Sequence, residues 1–227
     1  MRLLNLKFMK VYPFSRFPPE PEEATRGAVI KLKKSYSNDS FFKNDAAFDW
    51  MYPEHIQLLS QHWTPLSIAY KAAGFLARPG ARVLDIGSGI GKFCLAAAHN
   101  FPETFFYGVE QRHELICLAE ETKGYLHLPN ANFIYANITQ INFREFDHFY
   151  FYNSFYENIY LENQIDDTIE LSESLYSYYT RYLHNALAER PKGTRVVTFH
   201  TLDEEISVGY KLVDISFDHL LKMWIKE

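Results

Sequence analysis

Two cysteines among 227 residues leave no basis for a disulfide framework. Cys94 and Cys117 both fall in helix-like stretches with apolar neighbours, so the expected state is a pair of buried free thiols in a reducing compartment, with no metal site. Long hydrophobic runs are missing too. No stretch approaches the roughly 20 apolar residues that span a bilayer, and Lys7, Lys10 and Pro13 interrupt the N-terminus before it can read as a signal peptide. A cytoplasmic protein is the expectation. Positive charge is scarce as well: 23 basic residues against 28 acidic give a net charge of −5, so the chain as a whole carries no electrostatic footprint for nucleic acid. Internal repeats and low-complexity tracts are absent. Aromatic residues, by contrast, reach 17%, including 19 Phe and 16 Tyr, and this excess must be buried or stacked on something.

The first 40 residues contain Pro13, Pro18, Pro19 and Pro21 and an acidic cluster at Glu20, Glu22 and Glu23, which suits an arm or an edge hairpin. Lys31, Lys33 and Lys34 read as one solvated strand face. A helical pattern runs from Asn44 to Gln61 around an interruption at Pro53. Thr64 followed by Pro65 predicts a helix N-cap and first turn, with the helix extending to about Ala77. Beyond residue 80, strands are predicted at Phe105–Glu110, Asn132–Tyr135 and Phe146–Tyr152, with a helix from Arg112 to Lys123. Residues 164–190 form the longest helical candidate, with Ile165, Ile169, Tyr176, Tyr179, Leu183 and Leu187 on one stripe. Strands follow at Thr194–Thr201, Tyr210–Phe217 and Leu220–Lys226, the last two close enough for an antiparallel hairpin. Strands alternating with helices imply a parallel sheet, whose ligands bind beyond the carboxyl ends of the strands.

The chain is organised around Arg82-Val83-Leu84-Asp85-Ile86-Gly87-Ser88-Gly89-Ile90-Gly91-Lys92. It reads as a strand, a tight turn and a helix start. Glycine suits such a turn because it accepts positive φ and lets a ligand lie against bare backbone. The spacing is G-x-G-x-G, not the G-x-G-x-x-G of dinucleotide binders, and Asp85 stands two residues before the first glycine. A carboxylate there would repel a pyrophosphate but attract a cationic amino-acid end. S-adenosylmethionine has such an end. Glu110 closes the next strand about 20 residues on, where an acid accepts hydrogen bonds from ribose hydroxyls.

These residues resemble the class I S-adenosylmethionine-dependent methyltransferases over about residues 60–227. Val83-Leu84-Asp85-Ile86-Gly87-Ser88-Gly89-Ile90-Gly91 is similar to the family's first motif, and Tyr107-Gly108-Val109-Glu110 to its acidic second strand. The resemblance implies a Rossmann-like α/β fold: a seven-stranded, mostly parallel sheet with an antiparallel last strand and helices on both faces. Residues 1–60 would be an N-terminal extension or lid, and 61–227 the methyltransferase domain. It also implies that Asp85, Gly87, Ser88, Gly89, Gly91, Glu110 and Gln111 bind the cofactor, that Asn137 and Ile138 touch its adenine, and that Trp63 and Thr64 close over its methionine end.

After the fourth predicted strand, Asn153-Ser154-Phe155 resembles both the Asn-Pro-Pro-Tyr motif of amino-methyltransferases and the Asn-Asn-Phe version of non-SET histone-lysine methyltransferases, and equals neither. The resemblance implies that Asn153 orients the acceptor nitrogen toward the sulfonium methyl, which is catalysis by positioning, while Phe155 packs on the substrate. Glu157 reads as a proton acceptor or amine anchor, or as an exposed loop acid without a role. The favoured acceptor is an amine of a protein; a small-molecule amine and a nucleic-acid base stay open. Two other classes compete: a non-catalytic S-adenosylmethionine-binding module, suggested by Ser154 in the proline position, and a nicotinamide-dependent oxidoreductase, disfavoured by Asp85 and the short glycine spacing.

Overall fold

In the computed structural model the described residues are 37–227, apart from 161, 163, 202–205 and 207. The proline-rich arm, the acidic cluster and the lysine strand expected within residues 1–36 lie outside them.

The central strands are apolar enough to be covered on both faces, and they are. Val83, Leu84 and Ile86 of β1 (Arg82–Ile86) and Phe149, Tyr150 and Phe151 of β4 (His148–Tyr152) are almost fully buried. Strands β2 (Phe105–Glu110) and β3 (Ala131–Tyr135) extend the sheet on one side. On the other lie β5 (Arg195–Phe199), β6 (Tyr210–Ser216) and β7 (Leu221–Lys226). The spatial order is β3-β2-β1-β4-β5-β7-β6, with β1 to β5 parallel. β7 runs antiparallel to β6, as the close spacing of the two segments predicts, and it is antiparallel to β5 as well. Because the chain leaves β1 toward β2 on one side and returns to β4 on the other, the carboxyl ends of β1 and β4 flank the topological switch point, where open α/β sheets take their ligands.

Helices cover both faces. α4 (Leu66–Leu76), α5 (Lys92–Asn100) and α6 (His113–Leu126) share one core with Phe48, Met51, Tyr52 and Trp63. α7 (Glu173–Ala188) packs Leu183 and Leu187 on the opposite face against Leu84, Phe149 and Val196.

Three expectations about helices change. The Asn44–Gln61 pattern is three short pieces instead of one helix: α2 (Asp45–Asp49), α3 (Glu54–Gln57) and a 3-10 turn at Ser60–His62, with the one-turn α1 (Asn38–Phe41) before them. Pro53 is the N-cap of α3, so the interruption ends one piece and starts the next. Thr64 does not cap α4. Its hydroxyl turns inward to the buried Tyr150 hydroxyl at 3.0 Å, and Asp45 Oδ1, from 21 residues upstream, accepts from the Leu66 N–H at 2.9 Å instead. A buried phenol needs a partner more than an N-terminus that a distant carboxylate can reach. Finally, α7 begins at Glu173, not at residue 164. The Asp166 carboxylate accepts from the N–H and hydroxyl of Thr168, a local turn that competes with helix, and Ser172 then caps α7 at the Leu175 N–H.

The segment before α4 is fastened to the sheet layer through Lys92, the first residue of α5. Its ammonium, almost fully buried, lies 2.7 Å from both Asp45 Oδ1 and Asp49 Oδ1. Asp45 therefore binds the starts of two helices at once.

Candidate active site

A cavity of about 320 Å³ opens at the switch point. Its walls come from the ends of β1 (Ile86, Gly87, Gly89), β2 (Glu110, Gln111, Arg112), β4 (Asn153, Ser154, Phe155) and the 59–63 segment (Leu59, Gln61, His62, Trp63). The three glycines of the turn all have positive φ, yet they differ in what surrounds them. A Cβ on Gly87 would fall on the Ser154 side chain, and one on Gly91 on the Phe133 ring. Gly89 alone of the three has nothing within 4 Å of that position. It is the bare backbone that a ligand can approach, whereas Gly87 and Gly91 are glycines for the protein's own packing.

Glu110 is held ready by its surroundings. Its Oε1 accepts from the N–H groups of Gln111 and Arg112 at 2.8 and 2.9 Å, and its Oε2 from Gly89 N–H at 3.1 Å. Burial still lifts its carboxyl above the usual range against these bonds. Asp85 lies in a smaller recess beside the cavity with Thr64, Ser88 and Lys92, sharing Gly87, His62 and Trp63 with the main space. Burial pushes its carboxyl up to about 8, Glu110 adding to the rise and the Cys94 thiol opposing it. Ser88 Oγ is buried with no hydrogen-bond partner.

The 153–157 loop departs from its expected use. Asn153, with φ 42°, lines the cavity at the end of β4. Ser154 Oγ donates to the Ile86 carbonyl and so ties this loop to β1. Phe155 is 6% exposed, wedged between Phe151 and Tyr179, so most of its ring is core. Both oxygens of Glu157 accept from Arg112 at 2.9 Å, and Arg112 Nε donates to Asp166 at 3.0 Å. The carboxylate expected to anchor an amine is thereby engaged by an arginine 45 residues away. Breaking a buried pair strands a charge, so Arg112→Met should lower unfolding stability by about 3–5 kcal/mol, and Arg112→Lys by less. Denaturant melts check this; a Met variant as stable as the wild type would contradict it.

Asn137 is similarly occupied. Its Oδ1 accepts from Thr139 N–H and Oγ1, and its Nδ2 donates to Gln111 Oε1 at 3.0 Å and Tyr179 Oη at 2.9 Å. An adenine contact through this amide competes with those four bonds, and Ile138 lies beside it in the cavity wall. The sequence did not single out Gln61, His62, Tyr152, Tyr160 or His200, all of which line the cavity. Tyr152 ends one predicted strand and His200 falls within another, but no motif marks either as a cavity residue.

The sequence model of the methyltransferase-domain family matches residues 77–177, which hold the cradle, Glu110 and Asn153. Residues 77–177 are therefore similar to methyltransferase domains. A tRNA (guanine-N(7)-)-methyltransferase of Prochlorococcus marinus is 35% identical over 86 residues, 37% of this chain and 40% of that protein. One from a Synechococcus strain is 38% identical over 90 residues, 36% of this chain and 38% of that protein. The chain thus spans about two fifths of the length of these curated relatives. Among solved structures, TrmN from Thermus thermophilus superposes with a TM-score of 0.52 at 22% identity, covering 71% of this chain and 48% of that one, a likeness of fold. The cofactor of this domain type is S-adenosylmethionine, and the open Gly89 backbone, the Glu110 carboxylate and the recessed Asp85 fit its three parts.

Proposed function

We propose that the protein is an S-adenosylmethionine-dependent methyltransferase that methylates a nitrogen of an RNA base. The observation that carries the acceptor class is the makeup of the cavity wall. His62, Tyr152, Tyr156, Tyr160 and His200 line it, and of its two acids Glu157 is neutralised by Arg112 while Glu110 is engaged by backbone N–H groups. A lysine side chain arrives as a cation and calls for a free carboxylate; a flat neutral base calls for rings. The protein amine favoured by the loop motif gives way for this reason. The curated relatives are named for methylating guanine N7 in tRNA, which supports the same class. Of the 23 basic residues, eight lie within residues 1–36 with only three acids, so this stretch is locally basic in a chain that is acidic overall, a charge balance that favours phosphate.

When bound, S-adenosylmethionine supplies an electrophilic sulfonium methyl. The chain's own contribution is positioning. Glu110 is set to accept ribose hydroxyls, Asp85 stands where a cationic amino group would be drawn, and Asn153 presents an amide to the edge of the acceptor. Ser154, in the place of a rigid proline, holds the acceptor loop against β1 through its hydrogen bond to Ile86, which favours an active enzyme over a binding module that has lost the motif.

The test is methyl transfer from labelled S-adenosylmethionine to unmodified tRNA, bulk RNA and protein extract in parallel, with the labelled RNA digested to nucleosides. Label in a methylated nucleoside is the expected result. Label confined to protein, or no label in any fraction from a protein that binds the cofactor, would overturn the reading.

A further inference from the structure

The parallel ladder between β4 and β5 ends with Tyr152 opposite Phe199. The residues that follow these strands are Asn153 and His200, so the two stand at neighbouring strand ends. Both are non-glycine residues with left-handed backbone, φ 42° and φ 54°. Such residues are uncommon, and they gather where a structure must aim a side chain. Both line the cavity. The His200 backbone is fixed by its N–H donating to the Leu220 carbonyl at 3.0 Å. Its ring meets Phe199 edge-on at 4.4 Å and leans on Tyr152 at 5.8 Å, which leaves a ring oriented by its neighbours but still exposed to the cavity. None of the sequence motifs includes it.

We infer that His200 is the stacking wall of an acceptor slot for a purine base, paired with Asn153: the Asn153 amide takes the edge of the base and the His200 ring its face. This rests on the methyltransferase reading and names the residue that would select a flat heteroaromatic acceptor. Stacking needs only a π-face, so it tolerates different bases, whereas the amide opposite discriminates by hydrogen bonding. An extended aliphatic amine would gain nothing from the ring.

Two measurements separate this inference from the reading beneath it. In the full-length protein loaded with S-adenosylhomocysteine, the His200 ring-proton resonance, assigned by its loss in His200→Phe, should move upfield on titration with guanosine 5′-monophosphate and stay in place with ribose 5-phosphate. No movement, or equal movement with ribose 5-phosphate, overturns the slot whatever the enzyme methylates. With RNA as acceptor, His200→Ala should raise the acceptor KM about tenfold to a hundredfold, the range of one lost base stack, while leaving the S-adenosylmethionine Kd unchanged. His200→Phe should recover most of that loss. Failure of phenylalanine to recover it would overturn the stacking role, while absence of methyl transfer to RNA by the wild type counts against the proposed function and not against a base-binding slot.

Discussion

Gly89→Asp should weaken S-adenosylmethionine binding by at least about a hundredfold, near 3 kcal/mol, while leaving the unfolding midpoint within a few degrees of the wild type. The new side chain has open space to occupy, since nothing lies within 4 Å of its Cβ, and that space is the cavity itself. Asp is among the residues that accept a left-handed backbone at modest cost. Its carboxylate would enter beside Glu110, which already bonds Gly89 N–H, and add a like charge where the cofactor's ribose belongs. Gly91→Ala should do the reverse. Its Cβ falls on the Phe133 ring and 3.2 Å from Ala119 Cβ at a φ of 78°, so overpacking and backbone strain together should remove about 2–5 kcal/mol of stability. Calorimetric titration and denaturant melts on the same two preparations check both. Equal unfolding losses in the two variants would show that the cradle cannot be divided into a ligand-facing and a packing glycine.

That division marks the limit of what the sequence shows. The strand, turn and helix around Asp85, the acid closing the second strand and the closing antiparallel hairpin were legible because each depends on neighbours within a few residues. What surrounds Gly87 and Gly91 was not, because Ser154 and Phe133 arrive from other strands. The capping of α4 by Asp45 instead of Thr64 has the same origin: both residues have suitable oxygens, and only the presence of Tyr150 behind Thr64 decides between them. Glu157 looked like a free loop acid because Arg112 was assigned only to the start of a helix; the pair forms when α6 and the loop after β4 meet at the switch point. The start of α7 failed for a local reason, since the Ile165 and Ile169 spacing satisfies a helical stripe while Asp166 and Thr168 prefer their own turn. His200 belongs to no motif and shows itself only when β4 and β5 are laid side by side.

The second large effect concerns pH and Asp85. In the folded protein burial holds its carboxyl at about 8, whereas in the unfolded chain it titrates near its ordinary value of 3.8. Between those two values the folded state keeps a proton that the unfolded state has lost. Stability therefore falls as pH rises through this window, at a slope approaching about 1.4 kcal/mol per pH unit, and levels off above the folded pKa. Asp85→Asn keeps the shape and removes the titration. Its stability relative to wild type should be near parity at the acid end of the window and rise to an advantage on the order of 5 kcal/mol at the alkaline end. Denaturant melts of the two proteins across the window check this, and parallel curves would refute it. The same carboxyl should register the cofactor: a cationic amino group near the recess favours the charged form, so binding at neutral pH should release a proton that the Asn variant does not. Titration calorimetry in buffers of different ionisation enthalpy reads that proton directly. If both proteins release the same number, Asp85 is a buried structural acid and the cation must be met elsewhere.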